Sequence, residues 1–257
     1  MAFDLGWDLT SHMAWNDLTQ AVLFALETQN GPGLDSHLIH VNPSSWVAAV
    51  HAHGVLAFIS IGGSSDQDWD LACNDTNRAQ FVQNLVGYAT SNGFDGIDLD
   101  IEDNTWAAQG PPSAGQTACI QAVSAAAHAA GLRVSADVIT NWQGPWFAPS
   151  QAGVDQFNLM TYGDDLTQMQ SDVARTISQG LPASKFVVGV DIIDGPDPPA
   201  GGCGQFSSYA AQAGLMGAFV WFAEADVNNV CATGLAAGSH APNISKFLFG
   251  LPTPSTS

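Results

Sequence analysis

The chain has 257 residues, 46% of them hydrophobic, and its 24 Asp plus Glu against 5 Lys plus Arg give a formal charge of −19. Five scattered cations cannot build the basic surface that nucleic acid or an anionic membrane requires, so the balance argues against both and favours a neutral substrate over a polyanion. The length suits one large α/β barrel or two small domains, and the pattern of elements has to decide between them.

The opening MAFDLGWD lacks the basic and apolar stretches of a signal peptide. The longest wholly apolar run near the N-terminus, AVLFAL at 21–26, is far shorter than the roughly 20 residues that span a bilayer. Strand-like apolar runs then follow one another at 2–9, 20–26, 55–63, 94–102, 132–140, 154–162, 186–193 and 217–226. Most are near-continuous rather than alternating, which is how parallel strands buried on both faces read. Between them the spacing predicts helices over 44–54, 76–93, 115–131, 172–180, 205–214 and 241–250, each closed by a Gly suited to a helix C-terminus. Only 141–153 lacks helical periodicity, so the fifth unit is expected to carry a degenerate helix.

Eight strands alternating with helices predict a single-domain α/β fold, a (β/α)8 TIM barrel over residues 1–250, with a doubly wound open sheet as the structural competitor. After Leu251 the chain holds only Pro, Thr and Ser, so 251–257 reads either as a linker stub or as an ordinary frayed terminus. A chain without a leader that ends in a linker is expected to be one module cut from a longer secreted protein.

Cys73, Cys119, Cys203 and Cys231 are widely spaced with no CxxC, which argues against zinc and leaves two disulfides or four buried thiols. Cys73 and Cys119 follow the third and fourth runs, and Cys203 and Cys231 the seventh and eighth. Adjacent connections of a barrel would therefore pair 73 with 119 and 203 with 231, in keeping with an extracellular setting. His51 and His53, two apart on a predicted helix, point away from each other and are expected to be solvated. No metal and no cofactor is expected.

The fourth run, GFDGIDLDIED at 93–103, carries the chemistry. Alternation sends Asp98, Asp100 and Glu102 to one side of the strand and Ile97, Leu99 and Ile101 to the other. Asp95 has the other parity, lies at the strand start and is expected to serve structure. In a barrel, catalytic groups sit at the C-terminal ends of strands. Carboxylates two residues apart on a strand stand roughly 6–7 Å from each other and repel by about 2–3 kcal/mol at an effective dielectric of 20. Three in a row do not all ionise, and Glu102, nearest the mouth, becomes a natural general acid. Calcium ligation would need a turn with Gly at a fixed place rather than Ile, Leu and Ile between the acids.

Asp95-Gly-Ile-Asp98-Leu-Asp100-Ile-Glu102 resembles the DxxDxDxE signature of family 18 glycoside hydrolases. SIGG at 60–63 (Ser60, Gly62, Gly63) is similar to the family's S-x-G-G motif, and NLMTY at 158–162 (Met160, Tyr162) to its M-x-Y motif. FVWFAEAD at 219–226 supplies Trp221 where the family places the floor of its sugar site. The resemblance implies a retaining, substrate-assisted hydrolase in which Glu102 protonates the glycosidic oxygen and the substrate's own 2-acetamido oxygen attacks C1. It assigns Asp100 to orienting the acetamide, Asp98 to sharing a proton with Asp100, and Tyr162 to donating a hydrogen bond to the acetamide. One departure is that Gly163 stands where the family often has an Asp that binds sugar, and Asp164 follows it.

Trp106, Trp142 and Trp146 fall on predicted loops at the catalytic face, where flat rings stack on sugars. Trp7 is a weaker candidate, and Trp46 and Trp69 read as packing. Residues 195–206 leave no room for the small α+β domain that some family members insert after the seventh strand. The resemblance therefore implies an open cleft and an endo-acting, monomeric chitinase acting on chitin or chitooligosaccharides, with a tether to a carbohydrate-binding module expected in the full-length protein. An endo-β-N-acetylglucosaminidase of N-glycans shares the motif, and a chitinase-like lectin shares the barrel but usually loses the acid.

Overall fold

Strands that are apolar on both faces need cover on both sides, and a closed parallel barrel wrapped in helices supplies it. The structure, a computed structural model, describes residues 1–4, 15, 18–103, 113–139, 153–191 and 204–221. Its first strands are β1 (Ala2–Asp4), β2 (Gln20–Gln29), a short β3 (Gly33–Asp35), β4 (Leu56–Gly62) and β5 (Gly96–Asp100). β6 (Arg133–Val138), β7 (Gln156–Leu159), β8 (Phe186–Asp191) and β9 (Gly217–Trp221) complete the set. All but β3 pair in parallel in the order β1-β2-β4-β5-β6-β7-β8-β9, and β9 returns to β1 through Val220 and Ala2. The fold is a (β/α)8 barrel, and the carboxylate row lies on β5, its fourth strand.

β3 was not anticipated. β2 runs on past the 20–26 core segment, and the turn at Asn30–Gly31, both at positive φ, folds β3 back along it with Glu27 opposite Asp35.

The helices are α1 (Pro43–Ala52), a short α2 (Trp69–Ala72) that no periodicity announced, and α3 (Arg78–Asn92). They continue as α4 (Ala114–Ala129), α5 (Leu166–Ser178) and α6 (Gly204–Gln212). α3 stops at Gly93, whose φ of 83° is left-handed. α4 opens on a capping box in which Ser113 and Gln116 satisfy each other's backbone N–H. α5 starts at Leu166 rather than 172, because the Asp165 side chain caps it by accepting from the Gln168 N–H and Met169, Val173 and Thr176 share its buried face. The segments expected at 141–152 and 241–250 lie outside the described residues.

Two apolar layers result. One lies between strands and helices and holds Trp46, Trp69, Phe81, Ile97, Leu99 and Phe157. The other fills the barrel with Phe3, Val22, Phe58, Val187 and Phe219. Gly96 makes room for it, since a Cβ there would lie 2.3 Å from the Phe58 ring. The Phe residues come from β1, β4 and β9, whereas β5, β6 and β7 turn Asp98, Ser135, Asp137 and Asn158 into the same interior. One half of the barrel interior is hydrocarbon and the other is a polar network.

At the opposite end from the row, Asp95 accepts from the Ala57 N–H at 2.7 Å and pairs with His51 at 2.8 Å. Asp155 repeats the arrangement with the Val134 N–H and His128, both at 2.9 Å. Each Asp ties the start of its own strand to the preceding strand and to the end of the helix that leads into that preceding strand. Cys73, at the end of α2, and Cys119, inside α4 rather than on a loop, form a disulfide with Cα atoms 5.8 Å apart. Cys203 and Cys231 lie outside the described residues.

Candidate active site

β5 is aligned by its neighbours' backbones. The Gly63 N–H donates to the Asp100 carbonyl at 2.9 Å, and a Cβ on Gly62, at φ 122°, would sit 1.8 Å from that same oxygen. Only glycine lets the end of β4 lie so close to β5. Ser60, two residues earlier in the same motif, donates to Asp98 Oδ2 at 2.9 Å. Past the strand, Asp103 is buried and accepts from the Trp69 N–H at 3.2 Å, anchoring the segment that carries Glu102.

Asp98 is fully buried, Asp137 is 3% exposed and Asp100 is 5% exposed. Asp98 Oδ1 accepts from the Ser135 hydroxyl and, at 2.9 Å, from the Asn158 amide, which also donates to Asp137 Oδ1 at 2.7 Å. Asp100 Oδ1 is buried without a hydrogen-bond partner. Among the described residues, the hydrogen bonds to Asp98 come from Ser60, Ser135 and Asn158 on three neighbouring strands. Donors on β4, β6 and β7 reach Asp98 more closely than a side chain two residues along its own strand can.

Above the network opens a cavity of about 360 Å³, within the range of small-ligand sites. Asp100, Glu102, Asp137, Ser64 and Ser65 form its polar lining, and Phe24, Met160, Tyr162 and Trp221 its apolar wall. Phe24 meets Trp221 edge-on with ring centroids 4.6 Å apart, which fixes the indole as one face of the cavity.

The carboxyls share one cause for their shifts, with second causes that differ. Burial raises Glu102 above the ordinary carboxyl value. Burial lifts Asp100 well above it, and the charges of Glu102, Asp98 and Asp66 add to the lift. Asp137 is likewise pushed well up by burial and then by Asp98 and Asp100. Burial also raises Asp98, against the pull of the hydrogen bonds from Ser135 and Ser60. The result is an acidic cavity whose members hold their protons to higher pH than ordinary carboxyls do, so that one can be donated to a substrate.

The structure thus gathers Asp100, Glu102, Met160, Tyr162 and Trp221 around one cavity, with Asp98 fully buried two residues before Asp100 on the same strand. It does not bring in Asp164. Gly163, at φ 73°, turns the chain away, and the Asp164 carboxyl faces Asp172 on α5, its pKa raised to about 7 by burial and then by Asp172. Trp106, Trp142, Trp146 and Trp7 lie outside the described residues. Trp46 and Trp69 are fully buried packing residues. Among the described residues no group of three or more His, Cys, Asp and Glu could hold a metal ion. Sequence reasoning missed Phe24, Ser64, Ser65, Ser135, Asp137 and Asn158. A signal existed for three of these, since Ser135, Asp137 and Asn158 are polar residues of one parity in runs whose other parity is apolar.

The profile of glycosyl hydrolases family 18 matches residues 44–195. No curated protein sequence matches the chain. Among solved structures, a chitinase from Rhizomucor miehei superposes with a TM-score of 0.71 at 18% identity, over 94% of this chain and 98% of that one. A mutant of catalytic domain 2 of the Ostrinia furnacalis Group II chitinase, in complex with (NAG)5, gives 0.74 at 18% identity, over 98% and 94%. A family 18 N-acetylglucosaminidase from Paenibacillus barengoltzii gives 0.73 at 14% identity, over 94% and 98%. At such identities these likenesses establish the barrel.

Proposed function

The chain belongs to glycosyl hydrolase family 18, and from that membership we propose that it is an endo-acting chitinase, hydrolysing β-1,4 bonds between N-acetylglucosamine units with retention. The observation that carries the reading is the union, in one cavity, of a half-buried Glu102 with raised pKa, an unpartnered Asp100 oxygen and an aromatic floor at Trp221. Glu102 protonates the glycosidic oxygen as the bond to C1 breaks. The substrate's acetamide oxygen closes on C1, giving an oxazolinium ion, and water activated by the same Glu102 opens it. Asp100 accepts from the acetamide N–H and offsets the positive charge that develops there, and Tyr162 holds the acetamide in attack geometry. Asp98 acts from beneath through its charge, and Met160 and Trp221 pack against the sugar.

Solved relatives of this fold include chitinases and one structure holding a chitooligosaccharide, which supports chitin as the substrate class. Endo action is supported by chain length, because only residues 192–203 lie between β8 and α6, too few for a domain that would wall the cleft. With no helix among the described residues long and apolar enough to cross a membrane, and with the Cys73–Cys119 disulfide, the reading extends to a secreted, monomeric enzyme.

Side-by-side assays on crystalline chitin and on a high-mannose glycoprotein test the substrate. Soluble chitooligosaccharides released from chitin, with the glycoprotein left intact, are the expected result. Deglycosylation of the glycoprotein without chitin cleavage would instead make the chain an endo-β-N-acetylglucosaminidase, and binding of chitin without turnover would make it a lectin.

A further inference from the structure

We propose that Asp137 is a positioning residue of the catalytic row: it keeps a proton against Asp98, so that the two carboxyls carry one negative charge between them and Asp100 is left free to meet the substrate. The inference rests on the reading of Glu102 and Asp100 given above, and it adds a residue that the strand-four signature does not contain.

The Asn158 amide donates both to Asp98 Oδ1, at 2.9 Å, and to Asp137 Oδ1, at 2.7 Å, and so holds the two buried carboxyls side by side. Two buried carboxyls this close, with no cation beside them, do not both ionise, and one keeps its proton. The donor count decides which one holds it. Asp98 accepts from Ser60, Ser135 and Asn158, whereas among the described residues Asp137 accepts from Asn158 alone. Donors stabilise the ionised form, so Asp98 keeps the charge and Asp137 the proton. The surroundings agree. The titratable groups facing Asp137 are Asp98 and Asp100 on β5, Glu102 beyond it and Tyr162 beyond β7, and no Lys or Arg lines the cavity among the described residues. Nothing there could support a second anion beside Asp98.

The consequence reaches the chemistry. With its proton partner on β6, Asp98 makes no demand on Asp100, whose Oδ1 stays buried and unpartnered at the cavity. A network of strands β4, β6 and β7 holds the anion in place, and Asp100 faces a fixed single charge rather than a variable one.

The test compares Asp137→Asn with Asp137→Ala through pH profiles of kcat and KM on a chitooligosaccharide, alongside infrared spectra of the substrate-free proteins. Asparagine still offers an N–H to Asp98 but cannot ionise, so both limbs of the profile should stay in place. Alanine removes the donor, and kcat should fall by about 10- to 100-fold, the worth of a hydrogen bond to a charged group, with asparagine recovering most of that loss. In the alanine variant Asp98 loses one donor and takes up a proton more readily than in the parent, although Ser60, Ser135 and Asn158 still donate to it. As its charge beside Asp100 and Glu102 fades, both limbs should move to lower pH, by up to about one unit. Equal loss in both variants with unmoved limbs would mean a purely structural residue and would overturn the proposal. Limbs shifted to lower pH by asparagine would show Asp137 ionised and overturn it equally. At neutral pH the infrared spectrum of Asp137→Asn should lack one protonated-carboxyl band present in the parent, and an unchanged band count contradicts the proposal. The infrared comparison needs no substrate. If the parent protein left chitooligosaccharides uncut, the functional reading would fail while the spectra still decided the state of Asp137.

Discussion

Glu102 differs from Asp98 and Asp100 in its access to the cavity more than in its charge. It is half-buried where they are buried, and burial alone raises its pKa. That keeps the acid form present further toward neutral pH, and activity should be lost as pH rises through the raised value and the proton leaves. Glu102→Gln keeps the shape without the proton. Turnover of a chitooligosaccharide should drop by about 10²–10⁴, while calorimetry should still detect binding, because Trp221 and Tyr162 are untouched. A variant retaining a tenth of parental turnover would remove Glu102 from the acid's role. At this scale the sequence was readable wherever a row of like charges broke the apolar pattern, as at Asp98, Asp100 and Glu102. At Asp137 the signal was fainter, a polar parity of Ser135 and Asp137 within an apolar run, with no second acid on the strand to mark it. Asp164 is not among the residues lining the cavity, and nearness to Tyr162 in sequence says nothing of the turn at Gly163, which sets its carboxyl toward Asp172 on α5.

Between elements, the ties that matter cross the rim beside β5. The Cys73–Cys119 bridge fastens α2 to α4 across 46 residues of chain, close to the Trp69–Asp103 contact that anchors the Glu102 segment. Replacing both cysteines with Ser should lower unfolding free energy by about 2–4 kcal/mol in denaturant titration, and equal stability with and without the bridge would contradict this. The start of α5 carries a pH-dependent contact of its own. Asp164 titrates near 7 in the folded protein, so the native state binds a proton that the unfolded chain has already released. The stability linked to it is full at acid pH and is lost as pH rises through about 7. Asp164→Asn removes that linkage, so its melting temperature should fall less than the parent's between pH 5 and 8 (about the span of the titration). Parallel melting curves would dismiss the contact. Element order was legible because eight apolar runs alternated with helices. β3 and α2 were not, since a few residues carry no period to read.

The whole molecule sets a hydrocarbon half-barrel against a polar one and opens the cavity where they meet. The −19 charge is spread widely, yet the row within the barrel answers to its own geometry, with burial rather than net charge as the first cause of each shift. Barrel closure could be foreseen from the count of strands. The split interior could not, because it depends on which strands become neighbours around the ring. The presence of Asp137 in the cavity also gives the reaction a sharp alternative, in which that carboxylate activates water directly and the anomeric centre inverts. Proton NMR of a chitooligosaccharide digest in its first minutes, before mutarotation, separates the two. Attack by the substrate's own acetamide predicts the β-anomer as the first product, and an initial α-anomer would contradict it.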